Sequence, residues 1–136
     1  SVSAITHAHW ISKEACLALV RILDDLTWGE YPEDAIVANI PKSKKFAFLR
    51  ELEDMPRYEV RSNGFVLDTL GASLWSLLHT DSYRDCVLTA VNLGGDSDTT
   101  GCVAGALAGA IYGYEAIPKE WIDQLRGKDI IENCLF

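Results

Sequence analysis

Two aspartates two residues apart, Asp96 and Asp98, stand between a glycine pair, Gly94-Gly95, and a hydroxyl pair, Thr99-Thr100. Carboxylate and hydroxyl oxygens gathered on one short stretch are hard donors, suited to Mg²⁺, Mn²⁺ or Ca²⁺. An isolated Asp-x-Asp at a helix start more commonly serves as a cap and as acid favoured by the helix dipole. Here three features add to that reading. The glycines let the backbone come close to a ligand, Thr99 contributes a third oxygen, and apolar residues on both sides leave a charged pair in need of a counter-ion. Read as a calcium loop from Asp96, position twelve is Leu107 where an EF-hand requires Glu. Read as a phosphate loop, Gly94-Gly95 has no Gly-Lys-Ser/Thr downstream.

The element that must position these oxygens follows at once. Gly101, Gly105, Gly109 and Gly113 recur every fourth residue in a small-residue stretch that predicts a helix from about Asp98 to Gly113. Glycine inside a helix costs about 1 kcal/mol relative to alanine, so the row costs roughly 3–4 kcal/mol. Close helix–helix approach is the compensating gain, with Gly113 as a candidate C-cap.

The remaining elements also read as helical. Ser1 to Trp10 is a short polar and aromatic stretch, and Ser12 is a candidate N-cap for an amphipathic helix. That helix carries Ala15, Cys16, Leu19, Val20, Ile22, Leu23 and Leu26 and ends near Trp28-Gly29. Pro32-Glu33-Asp34 opens a second helix that stops before Pro41. Lys42 to Pro56 predicts a short charged helix with Phe46, Leu49 and Leu52 inward, and Arg57 to Asn63 a loop. A largely buried helix runs from Phe65 past Trp75 to Leu78. Asp81-Ser82 caps the next, which bears Cys86, Ala90 and Leu93. Pro118 starts a short helix with Trp121, Ile122 and Leu125 inward, closed by Gly127, and a last turn spans 130–136. No stretch alternates cleanly with period two, so the fold class is all-α.

The 136 residues suit one domain, able to bury roughly 68% of its unfolded surface. A hydrophobic fraction of 49% is globular, and a net charge of −8 argues against a nucleic-acid partner or an anionic membrane. Cys16, Cys86, Cys102 and Cys134 are scattered beside apolar residues, which predicts buried thiols in a reducing compartment. The longest uncharged run, Thr99 to Tyr114, is too short and too rich in Gly and Ala to span a membrane, and no leader segment opens the chain. The expectation is a soluble, cytoplasmic protein.

Three blocks carry a family resemblance. Asn92-Leu93-Gly94-Gly95-Asp96-Ser97-Asp98-Thr99-Thr100, with Ala104 to Ala110, Tyr112-Gly113, Ile117-Pro118 and Trp121, closely resembles the ADP-ribosylglycohydrolase family. Thr6-His7-Ala8-His9 is similar to that family's Thr-His segment. Gly64-Phe65-Val66-Leu67-Asp68-Thr69-Leu70 is similar to its Gly-Tyr-Val-Val-Asp-Thr-Leu segment. The blocks keep family order and span nearly the whole chain. The resemblance implies an all-α hydrolase with a two-ion Mg²⁺ (or Mn²⁺) centre that cleaves the glycosidic bond between ADP-ribose and a modified protein or small molecule. It implies metal ligands at Asp96, Asp98 and Thr99, and an ADP-ribose cleft lined by His7, Phe65, Gly94 and Gly95. Phe65 stands where the family often has tyrosine, keeping the stacking surface and losing a hydroxyl.

The family is about twice this length, and its first half brings an early Gly-Asp segment and a Thr-Asp-Asp-Thr metal motif that have no counterpart here. The one Asp-Asp pair, Asp24-Asp25, reads as a solvated helix face. Octahedral Mg²⁺ takes six ligands, so three residues cannot complete two such centres. The chain is therefore expected to be a C-terminal half (residues 1–136 as one partial domain), inactive alone. Its catalytic acid is expected in the absent half, and the missing half or a second copy is an expected partner. The competing expectation is a non-catalytic interaction module built on the same fold, whose large apolar faces, Trp75 and the glycine helix among them, would be covered by self-association or a partner.

Other residues point less far. His7 and His9 lack a third and fourth zinc donor at suitable spacing. His79 suits the negative end of a helix. Lys42, Lys44 and Lys45 form a solvated face, and Trp10 and Trp28 flank the first helix as packing residues.

Overall fold

The computed structural model describes residues 2–57, 60, 65–93, 97–113 and 119, with the side chains of 2–9, 65 and 97 left aside. The first helix, α1, runs from Val2 to Thr27. It therefore starts ten residues before Ser12, which is an interior position and not the N-cap. Nothing between Val2 and Thr27 is glycine or proline, so once nucleated the helix has no local reason to stop. Its inward stripe is Ala15, Ala18, Ile22 and Leu26. Cys16 and Val20, predicted inward, face out instead, because a helix lying against a single layer buries a stripe narrower than its apolar content. Gly29, at φ +93°, turns the chain out of α1 as the sequence indicated.

Helix α2, Pro32–Asn39, has proline in its first turn beside Glu33 and Asp34. It ends because Ile40, preceding Pro41, is extended at φ −72°, ψ 132°. The Asn39 side-chain amide ties it to α1 by donating to Asp25 Oδ2 at 2.7 Å. The predicted charged helix is two short 3₁₀ turns, Lys44–Arg50 and Leu52–Asp54. Phe46, Leu49 and Leu52 are buried on them as expected, and Lys42, Lys44 and Lys45 are exposed.

Helices α3 (Phe65–His79), α4 (Tyr83–Leu93) and α5 (Ser97–Tyr112) pack against one another, and α1 leans on α2 and α5. Ser82 caps α4, its Oγ accepting from the Asp85 N–H at 3.2 Å. Helix α5 ends at Gly113, φ +85°, whose N–H donates to the Gly109 carbonyl at 3.0 Å. The glycine row does bring helices together. A β-carbon at Gly101 would lie 3.1 Å from Val91 Cγ1 and one at Gly105 2.9 Å from the Tyr83 hydroxyl, both on α4. Leu74, Leu77, Cys86, Ala90, Ala104, Leu107 and Ala108 join Ile22, Ile36, Phe46 and Leu49 in one core. No strand occurs among the described residues.

Several expectations change. Trp28 is 84% exposed and packs little, whereas Trp10 meets Phe46 edge to face at 6.3 Å. The glycine helix is held between its neighbours and Trp75 is half-buried, so neither is an open apolar face. Among the described residues the most exposed large apolar side chains are Trp28, Tyr31, Val20 and Val37, on α1, α2 and their connection, with Trp10, Leu17 and, on α4, Leu88 less so. Cys86 is a buried thiol, Cys16 an exposed one, and Cys102 is disulfide-bonded. The helix predicted from Pro118 and the final turn lie outside the described residues, Lys119 excepted.

Candidate metal centre

Successive helical residues are rotated by about 100°, so the first turn of α5 distributes its side chains around the axis. Asp98 is exposed, Thr99 half-buried and Thr100 fully buried. A carboxylate in a first turn suits the positive end of the helix dipole whether or not a cation is bound. Thr100 contributes differently. Its carbonyl lies 3.4 Å from the Ser73 hydroxyl of α3, whose single proton it shares with the nearer Thr69 carbonyl at 2.9 Å. A buried serine thus links the middle of α3 to the turn that carries Asp98 and Thr99. Among the described residues the Thr100 hydroxyl itself has no hydrogen-bond partner.

The donor set is oxygen only and fits a hard cation, as a share of an octahedral shell. Among the described residues no three His, Cys, Asp or Glu side chains gather as a metal cluster. Of the predicted ligands, Asp98 and Thr99 fall within the described residues, consecutive in the first turn of α5 and about 100° apart around its axis. Asp96, Gly94 and Gly95 lie outside the described residues. His7 falls within α1 and Phe65 is the first residue of α3, and their side chains lie outside the description as well. Asp24 is exposed and Asp25 is taken up by Asn39, in line with a structural role for the Asp-Asp pair.

Sequence reasoning missed the Ser73 link. An i, i+4 row of Thr69, Ser73 and Leu77 looks like an ordinary buried face until the helix opposite it is known. It also undervalued His79, whose ring stacks on Trp75 one turn earlier. The i, i+4 spacing of the two aromatic rings was the available signal.

Fold and site together define an all-α protein with a carboxylate and a hydroxyl at the head of a helix clasped by two others. The chain belongs to the ADP-ribosylglycohydrolase family, whose description matches residues 1–135. It is 38% identical to ADP-ribosylarginine hydrolase Tri1 of Serratia proteamaculans (strain 568) over 136 residues, covering 98% of this chain and 37% of that protein. It is 35% identical to the ADP-ribosyl-[dinitrogen reductase] glycohydrolase of Rhodospirillum rubrum over 121 residues, covering 89% of this chain and 40% of that protein. A shorter stretch of 47 residues is 40% identical to ADP-ribosylhydrolase ARH3 of Mus musculus, covering 35% of this chain and 13% of that protein. The chain thus spans about two fifths of the first two relatives.

Proposed function

We propose that this chain is the C-terminal, cation-binding part of a hydrolase that cleaves the glycosidic bond of ADP-ribosylated proteins or small molecules. Residues 1–136 act as one partial domain and do not turn over substrate alone. The observation that carries the reading is that Asp98 and Thr99 both stand in the first turn of α5, within a chain matched by the family over residues 1–135. The names of the relatives support the substrate class, and their greater length supports a contribution from residues beyond these.

Asp98 and Thr99, with Asp96 as the third expected ligand, would hold Mg²⁺ or Mn²⁺. Such an ion supplies positive charge for ribose hydroxyls and pyrophosphate and lowers the pKa of a bound water. The chain's own part is to present oxygen donors from a rigid helix head, steadied through Ser73. With a net charge of −8, the protein recruits an anionic nucleotide by local cation charge and not by long-range steering. His7, Phe65, Gly94 and Gly95 are proposed to line the ADP-ribose cleft. No described helix is long and apolar enough to cross a membrane, and the disulfide at Cys102 does not support the expectation of thiols in a reducing compartment.

Mn²⁺ titration of the chain, followed by calorimetry, tests the metal reading: weak binding that Asp98→Asn abolishes is expected, and equal binding by that variant overturns it. Release of ADP-ribose from ADP-ribosylarginine by the purified chain alone would overturn the partial-domain reading. A second reading, a non-catalytic interaction module, draws on the exposure of Trp28 (84%) and Tyr31 (72%). A stable dimer in light scattering, combined with no Mn²⁺ binding, would favour that reading over the hydrolase.

A further inference from the structure

Helix α1 carries a second row of side chains on the side turned away from the core. Its buried stripe is Ala15, Ala18, Ile22 and Leu26. On the far side stand Trp10, Lys13, Leu17, Val20, Asp24 and Thr27, all of them exposed. Their spacing alternates three and four residues, which is the spacing of a seam between two paired helices. Leu17 and Val20, 39% and 62% exposed, form the middle of the row. Lys13 and Asp24 flank them, and Trp10 and Thr27 close the two ends.

The row is complementary to itself. Its members lie symmetrically about the point midway between Ala18 and Leu19. When a second α1 is laid antiparallel across that point, Leu17 faces Val20 of the second copy, Lys13 faces Asp24 and Trp10 faces Thr27. Each contact then occurs twice, which is the condition for a two-fold interface between identical chains. Beside the seam, Glu14 and Arg21 lie on one flank and are also opposite in sign. A parallel pair would instead set Lys13 against Lys13 and Asp24 against Asp24. Most of the surface of a chain with net charge −8 repels its own copies, but this row, with one Lys and one Asp, is neutral.

We propose that the outer face of α1 is a self-association surface on which a second copy of this chain packs antiparallel, Leu17 against Val20 and Lys13 against Asp24. The two charged layers set orientation and register, and the two central layers supply the apolar contact. With two apolar layers in the seam the pairing is weak and depends on concentration. No residue in the row is a proposed cation ligand, so the pairing stands apart from the metal reading, and a dimer that binds Mn²⁺ leaves both in place.

Sedimentation velocity of the 136-residue chain between about 10 µM and 1 mM tests it. Monomer should pass to dimer and to nothing larger, because a two-fold contact closes on itself. Lys13→Asp and Asp24→Lys each turn two attractive pairs into repulsive ones and should weaken the dimer about tenfold. The double variant should restore it. Lys13 and Asp24 stand roughly 16 Å apart along one helix, beyond contact within a chain, so that restoration reads contact between copies. Val20→Glu should abolish the dimer. A chain that stays monomeric over the whole range would overturn the proposal, as would a dimer indifferent to the charge reversals or a double variant as weak as either single one. The charge variants alter exposed positions and decide the matter even if Val20→Glu does not fold.

Discussion

Gly105 lies directly under the Tyr83 hydroxyl: a β-carbon there would sit 2.9 Å from Tyr83 Oη and 3.8 Å from Cζ. One oxygen atom therefore determines how closely α5 approaches α4 at this point. Tyr83 is only 7% exposed, so its ring has little room to withdraw. In Gly105→Ala the gain in helix propensity, about 1 kcal/mol, opposes an overpacking cost of about 1–3 kcal/mol. We expect a net loss of about 1 kcal/mol in urea denaturation. In a Tyr83→Phe background the oxygen is gone, and the same alanine should be neutral or stabilising. A penalty that persists there would mean the ring itself sets the spacing.

Thr100→Val should stabilise the chain. The hydroxyl is fully buried and unpartnered among the described residues, and valine keeps the shape without the desolvation penalty of roughly 1–3 kcal/mol. A higher melting temperature is the expected result. A loss of stability would show that the hydroxyl is satisfied in solution.

Ser73→Ala should act at a distance from its own helix. It removes the donor facing the Thr69 and Thr100 carbonyls, at a cost of about 1 kcal/mol. If the link steadies the head of α5, amide exchange at Thr99 and Thr100 should quicken more than exchange in the middle of α3. Equal changes in both places would leave Ser73 as a local α3 residue.

Cys86 gives the chain an alkaline limit. Burial pushes its thiol up to about 11 from an ordinary 9.0, with the Thr80 side chain acting in the opposite direction. The folded state then favours the protonated thiol. Its contribution is fully present below pH 9.0, the unfolded value, and is lost as pH rises towards about 11. Burial also raises Tyr112, which works in the same direction. Cys86→Ala should flatten the fall in stability over this window, after allowance for the cavity. At neutral pH an alkylating reagent should modify exposed Cys16 and spare Cys86.

Asn39→Ala tests the joint between α1 and α2. Its amide bridges the Asp25 carboxylate at 2.7 Å and the Ala35 carbonyl at 2.8 Å. Loss of a hydrogen bond to a charged group should cost about 1.5–3 kcal/mol in chemical denaturation. A smaller effect would mean that water replaces the amide.

Much of the architecture is legible along the chain because its cues are local. Pro32 with two acids starts α2, Ile40 before Pro41 ends it, Gly29 and Gly113 supply left-handed turns, and Ser82 caps α4. The inward residues of the 3₁₀ stretch follow from spacing alone. Asp98 and Thr99 declare themselves as oxygen donors by type and order. The start of α1 was misread because Ser12 resembles a cap and a cap is only permissive: no breaker between Val2 and Thr27 forces the helix to wait for it.

Tertiary structure decided what depends on a second element. A hydroxyl at 73 and a carbonyl at 100 acquire meaning only where α3 crosses α5. The glycine row predicts close approach, but only packing shows that α4 fills it, with Tyr83 and Val91 as the limiting side chains. Likewise, His79 is a helix-end histidine in sequence and a ring between two carbonyls in space, because one acceptor comes from its own helix and the other from residue 53. Backbone preference and side-chain chemistry are carried by neighbouring residues, so the sequence by itself determined the helices and the chemical character of the donors. Partners brought together across the chain depend on global packing, and that the folded chain alone decides.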